Sequence, residues 1–378
     1  MAEINGSCDE RFTAVSDVLA TNLDSGLDVG ASVCVTIDGE PVVDIWGGTT
    51  DAAGQVPWER DTITNVWSTT KTMTNLCALL LADHGEIDLH APVAHYWPEF
   101  AAAGKERVEV RHLLGHTAGL AGWTEPLQPE DLYDWELATD RLARQEPWWE
   151  PGSASGYHAI TQGYLVGEVV RRVTGASVGA FFAKELAGPR NADFHIGLAP
   201  EHDARVARVI PPPALALEGA DPASIAIRTL TNPPLTAEQS WEEAWRRAEI
   251  PAAGGHGNAR SVAAVQSVLA CGGEVDGHRF MSQRGCEAVF EQQARGTDLV
   301  LGVPLCLGMG YGLTSDETPL SPNPRTCFWG GWGGSIVVVD QDARMVVAYM
   351  MNRMGEGTIG DERGIGILFA AYGALAAG

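Results

Sequence analysis

A serine and a lysine three residues apart are the pair in this sequence best suited to covalent chemistry. The stretch Asn65-Val-Trp-Ser-Thr-Thr-Lys-Thr-Met-Thr-Asn75 contains them as Ser68 and Lys71, and an apolar run follows at residues 76–81. Residues three apart on a helix share a face, so the lysine amine can reach the serine hydroxyl. A serine is a weak nucleophile until a base takes its proton, and lysine is a base only when neutral. The pattern fits a nucleophile on the first turn of a buried helix, and equally a serine-capped helix with an exposed lysine.

Length, charge and composition limit the classes of protein to consider. The chain has 378 residues, of which 45% are hydrophobic and 20% are charged, as is typical of globular proteins. Its formal net charge of -24 at pH 7 argues against nucleic acid or an anionic membrane surface as the main partner. No uncharged apolar run approaches the roughly 18 residues that a membrane-spanning helix needs. We therefore expect no nucleic-acid partner and no membrane partner, while the composition leaves the oligomeric state undefined.

The cysteines and histidines indicate neither a disulfide framework nor a metal site. The seven cysteines are odd in number, scattered and without a Cys-x-x-Cys pair, which favours reduced thiols in the cytoplasm. The N-terminal residues lack a basic region followed by an apolar run, so we expect no secretory signal. His112 and His116 are four apart but lack the glutamate of the metalloprotease pattern, and we interpret them as structural. We therefore expect no metal and no cofactor.

The elements that must position the serine and lysine follow from periodicity and turn residues. Helical spacing is expected in the segments 12–23, 129–145, 160–173, 177–186, 261–271 and 365–377. Residues 31–37 and 41–46 predict a β-hairpin around Asp38-Gly39, and residues 334–340 and 344–352 predict a second one. Strands near both ends with helices between them predict an α/β fold with an antiparallel sheet flanked by helices, plus an inserted all-helical domain. We assign residues 1–85 and 255–378 to the α/β domain and 86–254 to the mainly helical one.

Two further stretches complete a pattern with the serine and lysine. Tyr157 follows the loop Pro151-Gly-Ser-Ala-Ser-Gly156, and Trp329-Gly330-Gly331 precedes the late hairpin. Taken singly, each aromatic residue is more typical of a packed side chain. With Ser68-Thr-Thr-Lys71 they make the chain resemble the serine penicillin-recognising superfamily, close to class C β-lactamases and D-alanyl-D-alanine carboxypeptidases, and within it the family VIII carboxylesterases. The resemblance spans residues 10–375.

This resemblance implies a β-lactamase/transpeptidase-like fold with the active site at the seam of its two domains. It makes Ser68 the nucleophile, Lys71 its activating partner and Tyr157 the hydroxyl that relays a proton to the leaving group. Either Lys71 or the Tyr157 phenolate would take the serine proton. The resemblance also places the third motif on an edge strand and implies an oxyanion hole formed by the backbone N–H groups of Ser68 and Trp332.

The departures from the family pattern concern the substrate. Where β-lactamases and peptidases have Tyr-x-Asn and Lys-Thr-Gly, this chain has Tyr157-His158-Ala159 and Trp329-Gly330-Gly331. The first change removes a side-chain amide, and the second removes a cation that can pair with a substrate carboxylate. His158, Trp329, Gly330 and Gly331 are accordingly the expected substrate-binding residues. Both changes favour a small neutral ester over a β-lactam or a peptidoglycan peptide.

The resulting hypothesis is a cytoplasmic serine carboxylesterase that hydrolyses small, short-chain esters through an acyl-enzyme on Ser68. Its expected partner is a small-molecule ester. Alternatives on the same scaffold are an acyltransferase or amidase, since an alcohol or amine can also discharge an acyl-enzyme, and a weak β-lactamase side activity. A catalytically silent ligand-binding homologue is the alternative from another class.

A second serine motif competes for the nucleophile role. Gly175-Ala-Ser177-Val-Gly179 matches Gly-x-Ser-x-Gly, the nucleophile elbow of the unrelated α/β-hydrolases. That motif is meaningful only on a strand-turn-helix corner. Here it falls between two helical patterns, so we interpret Gly175 as the C-cap of one helix and Ser177 as the N-cap of the next.

Overall fold

The computed structural model of the protein describes residues 2–213, 219 and 221–377. The strands of this part of the chain are β1 (Ile4–Cys8), β2 (Gly30–Ile37), β3 (Glu40–Gly48), β4 (Ile63–Asn65), β5 (His195–Ile196), β6 (Val206–Ala207), β7 (Gly255–Gly257), β8 (Glu274–Val275), β9 (His278–Arg279), β10 (Ala294–Thr297), β11 (Pro304–Leu307), β12 (Gly312–Leu313), β13 (Thr326–Gly330), β14 (Ile336–Asp340) and β15 (Met345–Met351). Its α-helices are α1 (Thr13–Asp24), α2 (Thr70–Asp83), α3 (Val110–Leu114), α4 (Trp135–Arg144), α5 (Thr161–Thr174), α6 (Val178–Phe182), α7 (Ile225–Leu230), α8 (Glu243–Arg247), α9 (Ala259–Ala270), α10 (Gln283–Glu287) and α11 (Glu362–Ala376).

A nine-stranded antiparallel sheet joins the two ends of the chain. Its strand order is β1-β3-β2-β15-β14-β13-β12-β11-β10, and β2 pairs with β15 from Ala31–Met351 to Ile37–Met345. Helices α1 and α11 pack together and against the sheet, and α9 packs on β2, β14 and β15. Because helices cover the sheet, its central strands are apolar and buried along nearly their whole length. The predicted fold class, an antiparallel sheet flanked by helices, is confirmed.

Both predicted hairpins are present, because turn residues act locally. The first joins β2 and β3 through Asp38 and Gly39, whose φ values of 54° and 87° are those of a two-residue type I′ turn. The second joins β14 and β15. The expected N-terminal and C-terminal helices are α1 and α11, within a few residues of their predicted ends.

Two expectations about secondary structure were wrong. The helix predicted over residues 129–145 is broken into a 3₁₀ turn, Pro129–Tyr133, and α4, because Asp134 is extended and its carboxylate caps α4 by accepting from Leu137 N at 3.0 Å. The motif at Trp329 does not lie on an edge strand, since β13 is an inner strand between β12 and β14. However, β12 pairs only with residues 327 and 328, so Trp329 and Gly330 lie beyond that pairing.

The described part of segment 86–254 contains the helices α3 to α8, several single helical turns and two short strands. These strands, β5 and β6, pair with β7 and β4 in a small sheet of order β5-β7-β4-β6. Strand β4 directly precedes the turn that contains Ser68, and Val66 N donates to Gly255 O at 2.9 Å. The small sheet therefore connects the Ser68 turn to the mainly helical segment. The domain boundaries assigned above stay a prediction.

Helix α2 is buried on all sides, which decides how Lys71 is placed. Every residue from Thr70 to Leu81 is buried, and the helix packs against α5, α6 and α10. A helix covered all round belongs to the core, so its side chains cannot reach water. Lys71 is 1% exposed, which excludes the capped surface helix as an interpretation of the motif. In the part of the chain that is described, no helix is both long and apolar enough to cross a membrane.

Candidate active site

Ser68, the predicted nucleophile, lies in a tight turn between β4 and α2. Residues Trp67–Thr69 form a 3₁₀ turn, and Trp67 has a φ of 49°, which is rare for a residue with a side chain. The Trp67 indole packs against Trp245 at 5.5 Å and Trp332 at 5.0 Å between ring centroids. This packing holds the strained backbone, because an outlying conformation persists only where its surroundings enforce it.

The three residues expected to do chemistry lie in hydrogen-bond contact. Lys71 Nζ lies 3.0 Å from Ser68 Oγ, and the Tyr157 hydroxyl donates to Ser68 Oγ at 2.5 Å. Ser68 is 8% exposed, and Lys71 and Tyr157 are almost fully buried. A nucleophile flanked by a base and a proton donor at these distances is the arrangement that acyl transfer requires.

Two backbone carbonyls orient the Lys71 amine. Nζ lies 2.7 Å from Ala159 O and 2.9 Å from Ala252 O, and no carboxylate of the described residues forms an ion pair with it. Burial lowers the pKa of Lys71 well below its ordinary value of 10.5, because the charged form loses hydration. A neutral amine has two N–H groups and one lone pair. With both N–H groups on carbonyls, the lone pair faces Ser68 Oγ, where it can accept the serine proton.

Tyr157 has the opposite protonation tendency. Burial raises the pKa of its phenol, so the hydroxyl keeps its proton and can serve as an acid. The Trp329 ring lies 5.5 Å from the Tyr157 ring, and its indole N–H lowers the phenol pKa by a smaller amount without making a regular hydrogen bond. The Tyr157 backbone N–H donates to Asp298 Oδ1 at 3.0 Å. This contact joins Tyr157 to a loop that also lines the cavity described below.

The second expected oxyanion donor lies on the turn after β13. The Trp332 N–H donates to no acceptor among the described residues, and Trp332 lines the same cavity as Ser68. Gly331 permits this approach, because a Cβ there would lie 2.4 Å from both Val66 O and Ser335 Oγ, and 3.2 Å from Ser68 N. The turn is thus packed directly against the backbone around Ser68. Its free N–H is available to a substrate oxygen.

Ser335 connects the turn after β13 to the Ser68 turn by hydrogen bonds. It was not among the residues predicted from the sequence. Its hydroxyl donates to Val66 O at 2.9 Å, and Thr69 Oγ1 lies 3.0 Å from Ser335 Oγ. Gly331 N also donates to Ser335 O at 2.8 Å. The position of Ser335 directly after Gly330-Gly-Trp-Gly-Gly334 is the only sequence signal that could have identified it. Asp298, 141 residues from Tyr157, offers no such local signal.

The four residues expected to bind substrate occupy different surroundings. His158 is fully buried; its Nε2 accepts from Leu120 N at 3.1 Å, and burial lowers its pKa to about 4. Trp329 is 1% exposed and stacks on His116 at 5.4 Å between ring centroids. Gly330 faces the backbone of residues 359–360. Gly331 lies directly against the Ser68 turn, and none of the four residues lines the cavity.

A cavity of about 200 Å³ opens beside Ser68. It is lined by Trp67, Ser68, Tyr157, Ala159, Ile160, Thr229, Leu230, Pro233, Leu235, Ala253, Val300, Leu301, Trp332, Glu356 and Thr358. Among these described residues Glu356 carries the only charge, and it is exposed. Most of the lining is aliphatic or aromatic, which suits an apolar group of limited size. No lysine or arginine of the described chain lines the cavity, so a bound carboxylate would find no counter-charge there.

The remaining sequence motifs lie outside this cavity. Ser177 is the N-cap of α6, accepting from Ala180 N at 3.3 Å and donating to Glu249 Oε1 at 2.5 Å, and Gly175 caps α5 with a φ of 72°. Both cap assignments are confirmed. His116 packs behind Tyr157, and the described residues contain no group of histidine, cysteine and acidic side chains arranged to hold a metal.

Comparison with known proteins identifies the class to which this fold and site belong. The family model described as Beta-lactamase matches residues 19–372. A solved structure described as a family VIII carboxylesterase shares 43% sequence identity, with a TM-score of 0.93 over 98% of this chain and 100% of that one. The penicillin-binding protein homolog from Caulobacter crescentus shares 36% identity, with a TM-score of 0.92 over the same shares of the two chains. The esterase/beta-lactamase LipL of Mycobacterium tuberculosis is 36% identical over 361 residues, 92% of this chain and 83% of that protein.

The chain belongs to the beta-lactamase family, and it is a serine hydrolase of that family. The expected resemblance to the family VIII carboxylesterases and the expected β-lactamase/transpeptidase-like fold are confirmed. The roles of individual site residues stay predictions.

Replacing Gly331 by alanine tests the close approach of the two turns. The added Cβ would overlap Val66 O and Ser335 Oγ, so the Trp332 N–H must shift. Loss of one oxyanion donor costs about 10²–10³-fold in kcat. We expect Gly331→Ala to lower kcat for p-nitrophenyl butyrate by about 10²-fold, measured from the absorbance of the released p-nitrophenolate at 400 nm.

Gly373→Ala is the matched control. Gly373 lies on an exposed face of α11 with no atom within 4 Å of the new Cβ, so this variant should keep full activity. Equal activity of the two variants would contradict the assignment.

Proposed function

We propose that the protein is a serine carboxylesterase that hydrolyses small, neutral, short-chain esters through an acyl-enzyme on Ser68. The observation that carries this proposal is the position of Ser68 Oγ, 3.0 Å from Lys71 Nζ and 2.5 Å from the Tyr157 hydroxyl, beside an apolar cavity. The names of similar proteins, which include a family VIII carboxylesterase and the esterase/beta-lactamase LipL, support ester hydrolysis. The seven free cysteines support a cytoplasmic location.

In the acylation step, neutral Lys71 removes the Ser68 proton as Oγ attacks the ester carbonyl carbon. The carbonyl oxygen becomes an oxyanion, which the N–H groups of Ser68 and Trp332 stabilise. Tyr157 then donates its phenolic proton to the departing alkoxide. The Lys71 ammonium, 4.8 Å from the Tyr157 ring, offsets the phenolate charge and restores its proton. The products of this step are the free alcohol and an acyl group on Ser68.

Deacylation repeats the chemistry with water as the nucleophile. Neutral Lys71 removes a proton from water as the water oxygen attacks the acyl carbonyl carbon, and Tyr157 donates its proton to Ser68 Oγ as the ester bond to Ser68 breaks. The Lys71 ammonium then returns a proton to Tyr157, which restores the starting state. The acid product leaves as a carboxylate. Because the described residues of the cavity lining include one carboxylate and neither lysine nor arginine, an anionic product is repelled and not retained, which favours turnover.

The size and charge of the cavity favour one substrate class. A volume of about 200 Å³ is below the range of about 300–1,000 Å³ typical of pockets for drug-sized ligands, so a short acyl or alkyl chain suits it. β-Lactams and peptidoglycan peptides carry a carboxylate, and the lining residues that the structure describes provide no cation to bind it. A neutral ester needs no counter-charge and so suits this lining better.

Replacement of the nucleophile is the direct test. Ser68→Ala should lower kcat for p-nitrophenyl butyrate by at least about 10⁴-fold, as in other serine hydrolases, while leaving the melting temperature close to that of the wild type. Ser177→Ala is the matched control: it removes a helix cap worth about 1 kcal/mol and should leave kcat unchanged. Retained activity in Ser68→Ala, or its loss in Ser177→Ala, would refute the assignment.

The pH profile distinguishes the two candidate bases. Because burial lowers the Lys71 pKa, the amine is neutral above that pKa and becomes protonated as the pH falls. We expect kcat/KM to rise with unit slope through an acid limb lying well below pH 10.5, the ordinary lysine pKa. Tyr157→Phe should lower kcat and keep this limb, because the limb belongs to Lys71. Disappearance of the limb in Tyr157→Phe would instead make the phenolate the base.

Glu356 should discriminate against anionic esters. The carboxylate at the exposed side of the cavity repels a substrate carboxylate through a screened interaction of about 1 kcal/mol or less. We expect Glu356→Gln to raise kcat/KM for p-nitrophenyl hemisuccinate relative to p-nitrophenyl butyrate by about two- to five-fold, with the gain declining as salt is added. Glu40→Gln, an exposed acid on β3, is the control and should leave the ratio unchanged. An unaltered ratio in Glu356→Gln would contradict this role.

A further inference from the structure

A buried arginine lies behind the turn that carries the Trp332 N–H. The side chain of Arg363, in the first turn of α11, is 4% exposed and pairs with two carboxylates. Its Nη1 lies 2.8 Å from Asp28 Oδ1, and its Nη2 lies 2.5 Å from Asp361 Oδ2. We call these three residues the Arg363 network. Removing such charges from water costs several kcal/mol per ion, so the network is weak evidence for stability alone.

The remaining guanidinium hydrogen bonds point to a different purpose. Arg363 Nη2 donates to Gly333 O at 2.5 Å, and Nη1 donates to Arg353 O at 2.8 Å and to Leu27 O at 3.1 Å. Gly333 directly follows Trp332, and Arg353 begins the segment that carries Glu356 to the rim of the cavity. The buried guanidinium therefore bonds to the backbone on two sides of the site: the turn that carries the Trp332 N–H and the start of the segment that carries Glu356.

The Trp332 turn and the Glu356 segment are also hydrogen-bonded to each other. Gly333 N donates to Gly357 O at 2.8 Å, and Gly355 N donates to Gly333 O at 2.7 Å. Gly333 and Gly334 have φ values of 95° and 125°, a region open mainly to glycine. Gly331 N donates to Ser335 O at 2.8 Å and Gly334 N donates to Gly331 O at 3.1 Å within the turn, but neither bond involves the backbone of Trp332 or Gly333. Rigid placement of the Trp332 N–H thus needs support from outside the turn. The described residues supply that support through the Gly333 carbonyl.

We propose that Arg363 is a positioning residue for ester hydrolysis: it holds the Trp332 N–H in the oxyanion hole and the Glu356 segment at the cavity rim. This inference rests on the proposed function, since it assigns a purpose to an oxyanion donor. Arg363 touches no substrate and acts through the Gly333 and Arg353 carbonyls. Asp28 and Asp361 orient the guanidinium, and Tyr349 donates to Asp28 Oδ1 at 2.6 Å.

Arg363→Lys is the primary variant, because an ammonium retains the charge but cannot reach both carboxylates and both carbonyls. We expect kcat for p-nitrophenyl butyrate to fall about 10- to 100-fold with KM within about two-fold of the wild type, because oxyanion donors act mainly in the transition state. Affinity for butylboronic acid, which forms a tetrahedral adduct on Ser68, should fall by a similar factor.

Arg190→Lys is the matched control. The Arg190 side chain is 8% exposed, pairs with Asp276 and donates to Ala264 O at 3.0 Å, and none of these three residues lines the cavity. Both variants should lower the melting temperature, and only Arg363→Lys should lower kcat and boronate affinity. A purely structural role would lower the melting temperature of both and change neither kinetic quantity.

Asp361→Asn is the second variant, for use if Arg363→Lys fails to fold. It keeps an oxygen that can cap α11 and removes one charge that orients the guanidinium. A loss of kcat of about three- to ten-fold, matched by boronate affinity, would support the proposal. Wild-type kcat and boronate affinity in the folded variants would overturn it, provided that Ser68→Ala is inactive. An active Ser68→Ala would instead overturn the proposed function itself.

Discussion

The arrangement of this site depends on the burial of one lysine. Lys71 lies on a helix covered on all sides, and it has two carbonyl oxygens and one hydroxyl as its neighbours. Such surroundings disfavour an ammonium ion and satisfy a neutral amine. The same burial that lowers the pKa of Lys71 raises the pKa of Tyr157, because both charged forms lose hydration. Under the proposed function, one physical effect, desolvation, thus prepares a base and an acid beside Ser68.

Aromatic and imidazole rings fill the region behind Tyr157. Trp329, His116 and His158 pack around the phenol, and none of them faces the cavity. Buried histidines in this region are neutral, since burial lowers the pKa of both. The surface presented to a substrate is consequently apolar, with a single carboxylate at its rim among the described residues. Under the proposed function, the protein prefers neutral esters because the described lining residues include no lysine or arginine that could bind a substrate carboxylate. No specific contact with the neutral ester is needed for this preference.

The backbone around Ser68 is held by contacts between segments that are distant in the chain. Ser335 joins the turn after β13 to Val66 and Thr69, and the Arg363 network supports the same turn from the other side. The strained Trp67 backbone is covered by two other indoles. Oxyanion stabilisation needs donors that do not reorganise during the reaction, and rigid attachment at several points provides this.

Local sequence was sufficient to predict the hairpins, the terminal helices and the caps at Gly175 and Ser177. The spacing of Ser68 and Lys71 left a buried catalytic pair and a capped helix with an exposed lysine equally open. Turn residues and helical spacing act over a few positions, so they can be recognised without a structure. Only the tertiary structure decided that Lys71 is enclosed by the carbonyls of Ala159 and Ala252, 88 and 181 residues away. Every residue type has a backbone carbonyl, so no sequence pattern marks these two. The same holds for the burial of His158 and for the approach of Arg363 to Gly333, which depend on how distant segments pack together.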